Sequence, residues 1–197
     1  MTDVQPAEST STNLLERLIV RDSQAWGRFA AIYTPLVFRW AKGSGLQSAD
    51  VADVTQDVFR VVATKLQSFE RTTSKQGSFR RWLWGITRNI LRQHFDANSK
   101  TAQGTGGTTA HRLITAVPDY LESDEPPHDA DAEKSLVHRA LKAIEGDFQP
   151  HTWKAFWRMT VEQQSANEIA DSLGMTPRAV RQAKYRVLSR LREELLQ

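Results

Sequence analysis

Apolar side chains recur at every third or fourth position along most of the chain, and this spacing predicts helices. Strand-like alternation of apolar and polar residues appears nowhere in the sequence, so the predicted fold class is all-α. Pro35 lies inside the second predicted helix and should bend or divide it, because proline lacks the backbone N–H. The predicted helices cover residues 13–20, 23–42, 48–66, 78–97, 133–145, 151–161 and a helical pair within 168–191.

Residues 168–191 form two predicted helices joined by a tight turn. Gly174 ends the first helix, because glycine adopts the left-handed conformation that helix ends often need. Thr176 is a good N-cap for the second helix, and Pro177 suits its first position. The small Ala170 lies where the two helices would cross. This pattern predicts a helix-turn-helix, whose second helix enters the DNA major groove. The alternative is a basic helical hairpin on a solvated surface.

The second helix of this pair has two distinct faces. Val180, Ala183, Val187 and Leu191 share the apolar face at helical spacing. The opposite face is mainly basic and carries Arg178, Arg181, Gln182, Lys184, Tyr185, Arg186 and Arg190.

The helix predicted over residues 78–97 also has two faces when its residues are placed at ~100° intervals. The core stripe consists of Phe79, Leu83, Ile86 and Ile90. Opposite it lie Arg81, Trp84, Arg88, Arg92 and Phe95. Arginines interleaved with exposed aromatics suit single-stranded nucleic acid, because arginines bind phosphates and rings stack on bases. The alternative is that the aromatics pack on a neighbouring helix, and the pattern leaves both interpretations open.

Charge is distributed in blocks rather than evenly. The net charge is only +3, although the pI near 9.3 suggests an anionic partner. Residues 118–133 carry acidic side chains and no Lys or Arg, and basic segments lie on either side. A flexible linker is predicted over residues 99–132, which begin rich in Gly, Ser and Thr and end acidic with prolines. Within it, the short segment 117–121 has apolar residues that could dock on the protein.

Several classes of function find no support in the sequence. No apolar run approaches the ~20 residues of a membrane helix, and the polar start is unlike a signal peptide. The chain has no cysteine, which excludes disulfides and thiolate metal sites and fits a reducing compartment. Its histidines lack ligand spacing, and no phosphate loop or catalytic triad is present, so neither an enzyme nor a cofactor is predicted. A DNA recombinase would need a nucleophilic Ser or Tyr among arginines, which the first half does not offer.

Three blocks, DVTQDVF at residues 53–59, GSFRRWLWGITRN at residues 77–89 and the helix-turn-helix within 168–191, occur in this order along the chain. Together they resemble the bacterial sigma factors of the extracytoplasmic-function (ECF) group, in the sigma-70 family. DVTQDVF (residues 53–59) is similar to the core-polymerase-binding helix of these factors. GSFRRWLWGITRN (residues 77–89) resembles the helix that melts promoters and reads the −10 element. The helix-turn-helix resembles the −35-reading helices. The resemblance implies a disordered N-terminus (1–12), sigma domain 2 (13–98), a flexible acidic linker (99–132) and sigma domain 4 (133–197).

The same resemblance implies roles for individual residues. The residues expected to bind core polymerase are Asp53, Gln56 and Asp57, although taken alone a polar helix face is usually only solvated. Those expected to bind −10 DNA are Arg80, Arg81, Trp84, Arg88, Asn89 and Arg92. Those expected to bind −35 DNA are Thr176, Arg178, Arg181, Gln182, Tyr185 and Arg186. The acidic linker would lie in the RNA path of the polymerase.

The implied partners are core RNA polymerase, through the clamp of its largest subunit and its flap, and promoter DNA. That DNA would be duplex at −35 and a single non-template strand at −10. An anti-sigma factor, which often holds such proteins inactive, is a further candidate partner, and the expected compartment is the cytoplasm. The sequence departs from the resemblance at Ala183, where many relatives carry a basic residue, and in its long, glycine-rich linker. The main alternative is a stand-alone helix-turn-helix regulator that binds duplex DNA without polymerase.

Overall fold

The computed structural model describes residues 14–69, 79–104 and 118–196, and the regular structure in these ranges is helical, with no strand. This confirms the predicted all-α fold. The predicted disorder of residues 1–12 concerns positions outside the described ranges. The helices are α1 (Leu14–Ile19), α2 (Ser23–Gly43), α3 (Ser48–Lys65), α4 (Phe79–Gly104), α5 (Ala130–Ile144), α6 (Pro150–Thr160), α7 (Ala166–Leu173) and α8 (Pro177–Glu194). No helix in the described ranges is both long enough and apolar enough to span a membrane.

The N-terminal helices pack around an aromatic centre. Asp22 caps α2 by accepting hydrogen bonds from the backbone N–H groups of residues 24 and 25. Phe29 of α2 is fully buried and meets Phe79 of α4 edge to face, with ring centroids 5.6 Å apart. Phe59 of α3 also meets the Phe29 ring edge to face, with ring centroids 5.5 Å apart. Such edge-to-face contacts stabilise aromatic cores beyond simple burial, and here they hold α3 and α4 in fixed positions.

Pro35 does not divide α2, so the division that its position suggested does not occur. The helix runs for 21 residues through Pro35, which lies on its exposed side. Leu36 and Val37, the next two residues, are almost completely buried. Burial of these side chains compensates for the backbone hydrogen bond that proline cannot make.

Helix α4 is longer than the predicted 78–97 and ends only at Gly104. The domain boundary predicted after residue 98 therefore falls inside this helix. Residues 98–103 contain neither glycine nor proline, so nothing in the backbone stops the helix before Gly104. The glycine- and serine-rich character of the following segment led the prediction to place the break too early.

The C-terminal helices form the helix-turn-helix as predicted. Ser165 and Glu168 make a reciprocal capping box at the start of α7. Gly174 ends α7 with φ 63°, in the left-handed region. Thr176 caps α8 by accepting a hydrogen bond from the backbone N–H of residue 179. A small apolar core holds the two helices and α6 together through Ala155, Ile169, Ala170, Val180 and Ala183.

The N-terminal and C-terminal helices are docked on one another and share one apolar core. Helix α5 packs along α2, and Leu195 and Leu196, which follow α8, are buried in the shared core. The hydroxyl of Tyr33 in α2 donates to the carbonyl of Leu195 at 2.8 Å. Arg139 of α5 donates from its Nε to the carbonyl of Ile32 at 3.2 Å. Burial lowers the pKa of the Arg139 guanidinium from its usual value. The two halves thus meet through hydrogen bonds from side chains of one half to backbone carbonyls of the other.

Candidate nucleic-acid interface

The polar face of α8 is exposed along the first half of the helix. Thr176 lies at its N-cap, and Tyr185 exposes 69% of its surface. Arg178, Arg181, Gln182 and Arg186 are exposed on the same helix. All six residues predicted for −35 DNA therefore lie on one accessible surface. The apolar side of α8 faces the core, as its spacing predicted.

Helix α7, which precedes the turn before α8, is held by hydrogen bonds near both of its ends. The carboxylate of Glu168 accepts from the backbone N–H of Ser165 at 2.9 Å, and this bond lowers the pKa of Glu168. Arg158 of α6 donates to the hydroxyl of Ser172, so α6 and α7 are linked directly. With α7 held against α6, the caps at Gly174 and Thr176 set the direction in which α8 leaves the turn, and the exposed face of α8 is then in the position of a major-groove recognition helix.

Arg190 differs from the other basic residues of α8, because it faces the protein. Its Nη2 lies 2.9 Å from the carboxylate of Glu194, and its Nε lies 3.1 Å from Asp147. The Glu194 side chain is fully buried. Arg190 thus ties the end of α8 to the segment that follows α5 and helps to hold the Glu194 carboxylate, which the helical pattern alone did not indicate.

The predicted −10 face of α4 is not exposed in this structure. Trp84 is completely buried, and Phe95 exposes only 4% of its surface. The expectation of an exposed aromatic face is therefore wrong for both rings in this conformation. The Trp84 ring meets Trp40 of α2 edge to face at 5.4 Å and stacks on Tyr120 at 6.0 Å. Packing on neighbouring segments, the alternative that the pattern left open, accounts for both rings.

The arginines of this face are covered by residues 118–133, which we call the acidic strap. Its carboxylates form ion pairs with α4: Arg80 with Glu133 at 2.8 Å, Arg81 with Glu125 at 2.8 Å, and Arg88 with Asp124. The Arg88 guanidinium holds the pKa of the Asp124 carboxyl below its usual value. Of the remaining −10 candidates, Asn89 is exposed and Arg92 is half-buried. The predicted flexible linker is thus packed against α4 over its described part.

An apolar anchor accompanies the charged contacts of the strap. Leu121 is fully buried, and the Trp84 indole N–H donates to the carbonyl of Ser123 at 3.1 Å. Burial raises the pKa of the Tyr120 hydroxyl. At the far end of the strap, Asp129 pairs with Arg39 of α2 at 2.7 Å. The sequence carried a signal for this anchor, namely the apolar segment within the acidic linker, but it did not show where that segment docks.

The residues predicted for core polymerase lie on the outer surface of α3. Asp53 and Gln56 are exposed, and Asp57 is half-buried. Asp57 forms an ion pair with Arg60 one turn further along the helix. Val54 and Val58, on the other side of the helix, are buried in the core. The structure therefore brings the three polar residues together on one accessible face.

Comparison with known proteins identifies part of this arrangement. Residues 29–101 match the family model of sigma-70 region 2, a range that covers most of α2, all of α3 and most of α4. Proteins with sigma-70 region 2 are non-enzymatic transcription initiation factors that act with RNA polymerase in promoter recognition, and the match supports such a role for this part of the chain. No curated protein matches the chain.

Proposed function

We propose that this chain, whose residues 29–101 match sigma-70 region 2, is a sigma factor of the ECF group. It binds core RNA polymerase, reads duplex −35 DNA with α8, and helps to open and read the −10 element with α4. One observation carries the proposal: the region 2 match is followed, in the same chain, by a helix-turn-helix whose polar face is exposed. A factor that bridges two promoter elements needs both parts.

For −35 recognition, α8 would enter the major groove with its N-terminal half. Arg178 and Arg181 are exposed there, and an arginine can bind guanine through two hydrogen bonds. Each such pair supplies roughly 1–3 kcal/mol of discrimination against the wrong base. Tyr185 and Arg186, further along the helix, would contact bases or phosphates at the groove edge.

For −10 recognition, the arginines of α4 would hold the phosphates of the non-template strand. One or more bases would leave the stack and enter a protein pocket, which costs a few kcal/mol. Arginine–phosphate bonds and base–aromatic contacts must offset that cost. Trp84 can contribute a stacking surface only after Tyr120 has moved away from its ring.

For polymerase binding, Asp53, Gln56 and Asp57, on the accessible face of α3, would contact the clamp of the largest subunit, and the second domain would contact the flap. The factor would act in the cytoplasm with core RNA polymerase, and an anti-sigma factor would be a natural regulator. The domain assignment is sigma domain 2 for the helices up to α4 and sigma domain 4 for α5–α8. In the transcribing complex, residues 99–132 would follow the RNA path.

The experiment compares two templates with the assembled polymerase. One is a fully duplex promoter, and the other carries the same sequence with an unpaired −10 segment. A sigma factor should direct core polymerase to both and should hold the unpaired template more tightly, because melting no longer costs free energy. A stand-alone helix-turn-helix regulator would bind both templates equally and would not need polymerase.

A further inference from the structure

We infer that the acidic strap closes the nucleic-acid face of α4 in the free protein, and that the −10 strand and the strap compete for the same arginines. The inference rests on the proposed function of α4. It goes beyond that function by naming an internal competitor of the DNA and the residues through which it acts.

The strap runs antiparallel to α4. The sequence order of its acidic partners, Asp124, Glu125 and Glu133, is the reverse of the order of the arginines along α4. Asp124 pairs with Arg88, and Glu133 pairs with Arg80 at the start of the helix. The strap thereby follows about 12 Å of the helix axis, at ~1.5 Å per residue. Three ion pairs in a consistent order over that length indicate a defined binding mode.

The strap offers α4 the same chemistry as a nucleic-acid backbone. A carboxylate and a phosphate are both anionic acceptors that a guanidinium binds with charge-assisted hydrogen bonds. Nevertheless, the strap does not satisfy every donor of this face. The Nε groups of Arg80 and Arg88 are buried and have no hydrogen-bond partner in the described part of the chain. A phosphate strand that replaced the strap could use these two donors, which favours exchange.

The charged contacts of the strap are weak enough to be reversible. The side chains of Asp124 and Glu125 are 73% and 69% exposed, so water and salt screen their attraction to the arginines. The firmer attachment is the apolar anchor, where Leu121 is fully buried and Tyr120 stacks on Trp84. Closure therefore depends on a small anchor and several replaceable ion pairs, as competition requires.

The test uses two variants of the full chain that remove the same charge from the strap. In the pair variant, Asp124→Asn and Glu125→Gln break the ion pairs with α4. In the control variant, Glu122→Gln and Asp131→Asn change exposed residues that form no ion pair within the described ranges. Because both variants lose two negative charges, any difference between them reports the contacts rather than the overall charge.

The first measurement is hydrogen exchange in the free protein, without DNA. The indole N–H of Trp84 is buried and bonded to Ser123, so its exchange with solvent, followed by NMR and assigned with Trp84→Phe, reports opening. We expect exchange on the order of 3- to 10-fold faster in the pair variant than in the control variant. Equal exchange in the two variants would overturn closure by the strap. This measurement tests whether the strap closes over α4 even if α4 has no role at the −10 element.

The second readout is binding of a labelled single-stranded DNA pool of random sequence, at fixed salt. The pair variant should bind more tightly than the control variant by about the same factor as the change in exchange, because apparent affinity follows the open fraction. Faster exchange with equal affinity would overturn the competition. If α4 has no role at −10, polymerase assembled with the Arg88→Ala variant of this protein should open promoters normally. That result is separate from the two readouts above.

Discussion

The carboxylate of Glu194, at the end of α8, is bound by Arg28 of α2 across the junction between the two halves of the protein. Arg28 donates from Nε at 3.0 Å and from Nη2 at 3.2 Å, to one carboxylate oxygen each. The Glu194 side chain is fully buried, and Arg190 supplies a second guanidinium. A buried carboxylate is tolerated only when it is paired and hydrogen-bonded. This pairing therefore makes Glu194 a specific link between the two groups of helices.

Replacing Arg28 by Ala should lower the free energy of unfolding by about 1–3 kcal/mol. Breaking a fully buried pair costs roughly 3–5 kcal/mol, but here Arg190 still binds the carboxylate, so the smaller loss applies. Urea denaturation measures the change. Arg192→Ala is the control, because it removes the same charge from an exposed position in α8. Equal effects of the two substitutions would mean that the link adds nothing to stability.

Arg181→Ala tests the exposed face of α8. If Arg181 reads a base, duplex −35 binding should weaken by ~1–3 kcal/mol and specificity at one position should relax. If it binds a phosphate, binding should weaken for all sequences and the salt slope should fall by about 1. A titration at several salt concentrations distinguishes these cases. Lys134→Ala, an exposed charge on α5, is the control, and a variant indistinguishable from it would remove Arg181 from the site.

Arg88→Ala tests the role of α4 in promoter opening. With core polymerase, it should reduce the reactivity of unpaired −10 thymines towards permanganate by roughly 10-fold, equivalent to ~1.4 kcal/mol of lost phosphate contact. Binding to the −35 duplex should not change. Trp84→Ala is less informative, because removing a fully buried Trp costs ~3–5 kcal/mol of stability. An equal loss of −35 binding would contradict the assignment of separate roles, and Lys42→Ala provides an exposed control in α2.

Asp53→Lys tests the surface of α3. Reversing an exposed charge at a complementary interface slows association and should weaken binding to core polymerase by about 10-fold or more. Fluorescence anisotropy of the labelled protein titrated with core polymerase gives the affinity. Asp171→Lys makes the same charge change on the exposed side of α7. If both variants bound core polymerase equally, α3 would not be the contact surface.

Local signals in the sequence predicted the helix-turn-helix, whereas contacts between residues far apart in the sequence could not be predicted. Gly174 and Thr176 act within one turn of their own positions, so their effect is visible in the sequence. Whether Trp84 is exposed or packed on a neighbouring segment stayed open in the sequence, because helical spacing describes one helix and not what covers it. The strap that buries it lies about 36 residues further along the chain, as the contact between Arg88 and Asp124 illustrates.

The same limit applies to the junction between the two halves. Glu194 is one of several charged residues near the end of the chain, and its burial and its contact with Arg28, 166 residues away in sequence, are long-range features that the local sequence does not show. The end of α4, predicted at residue 97, was placed too early for a different reason. Ser and Thr weaken a helix without ending it, and α4 continues through Ser99 and Thr101 to Gly104.

Transcription by purified core RNA polymerase, with and without this protein, tests the proposed function most directly. The template is a pool with random upstream sequence, and the core enzyme comes from the source organism. We expect protein-dependent start sites that lie behind two spaced motifs, one at −35 and one at −10. Retained duplex binding without any polymerase-dependent initiation would contradict the sigma-factor assignment and would indicate a stand-alone regulator.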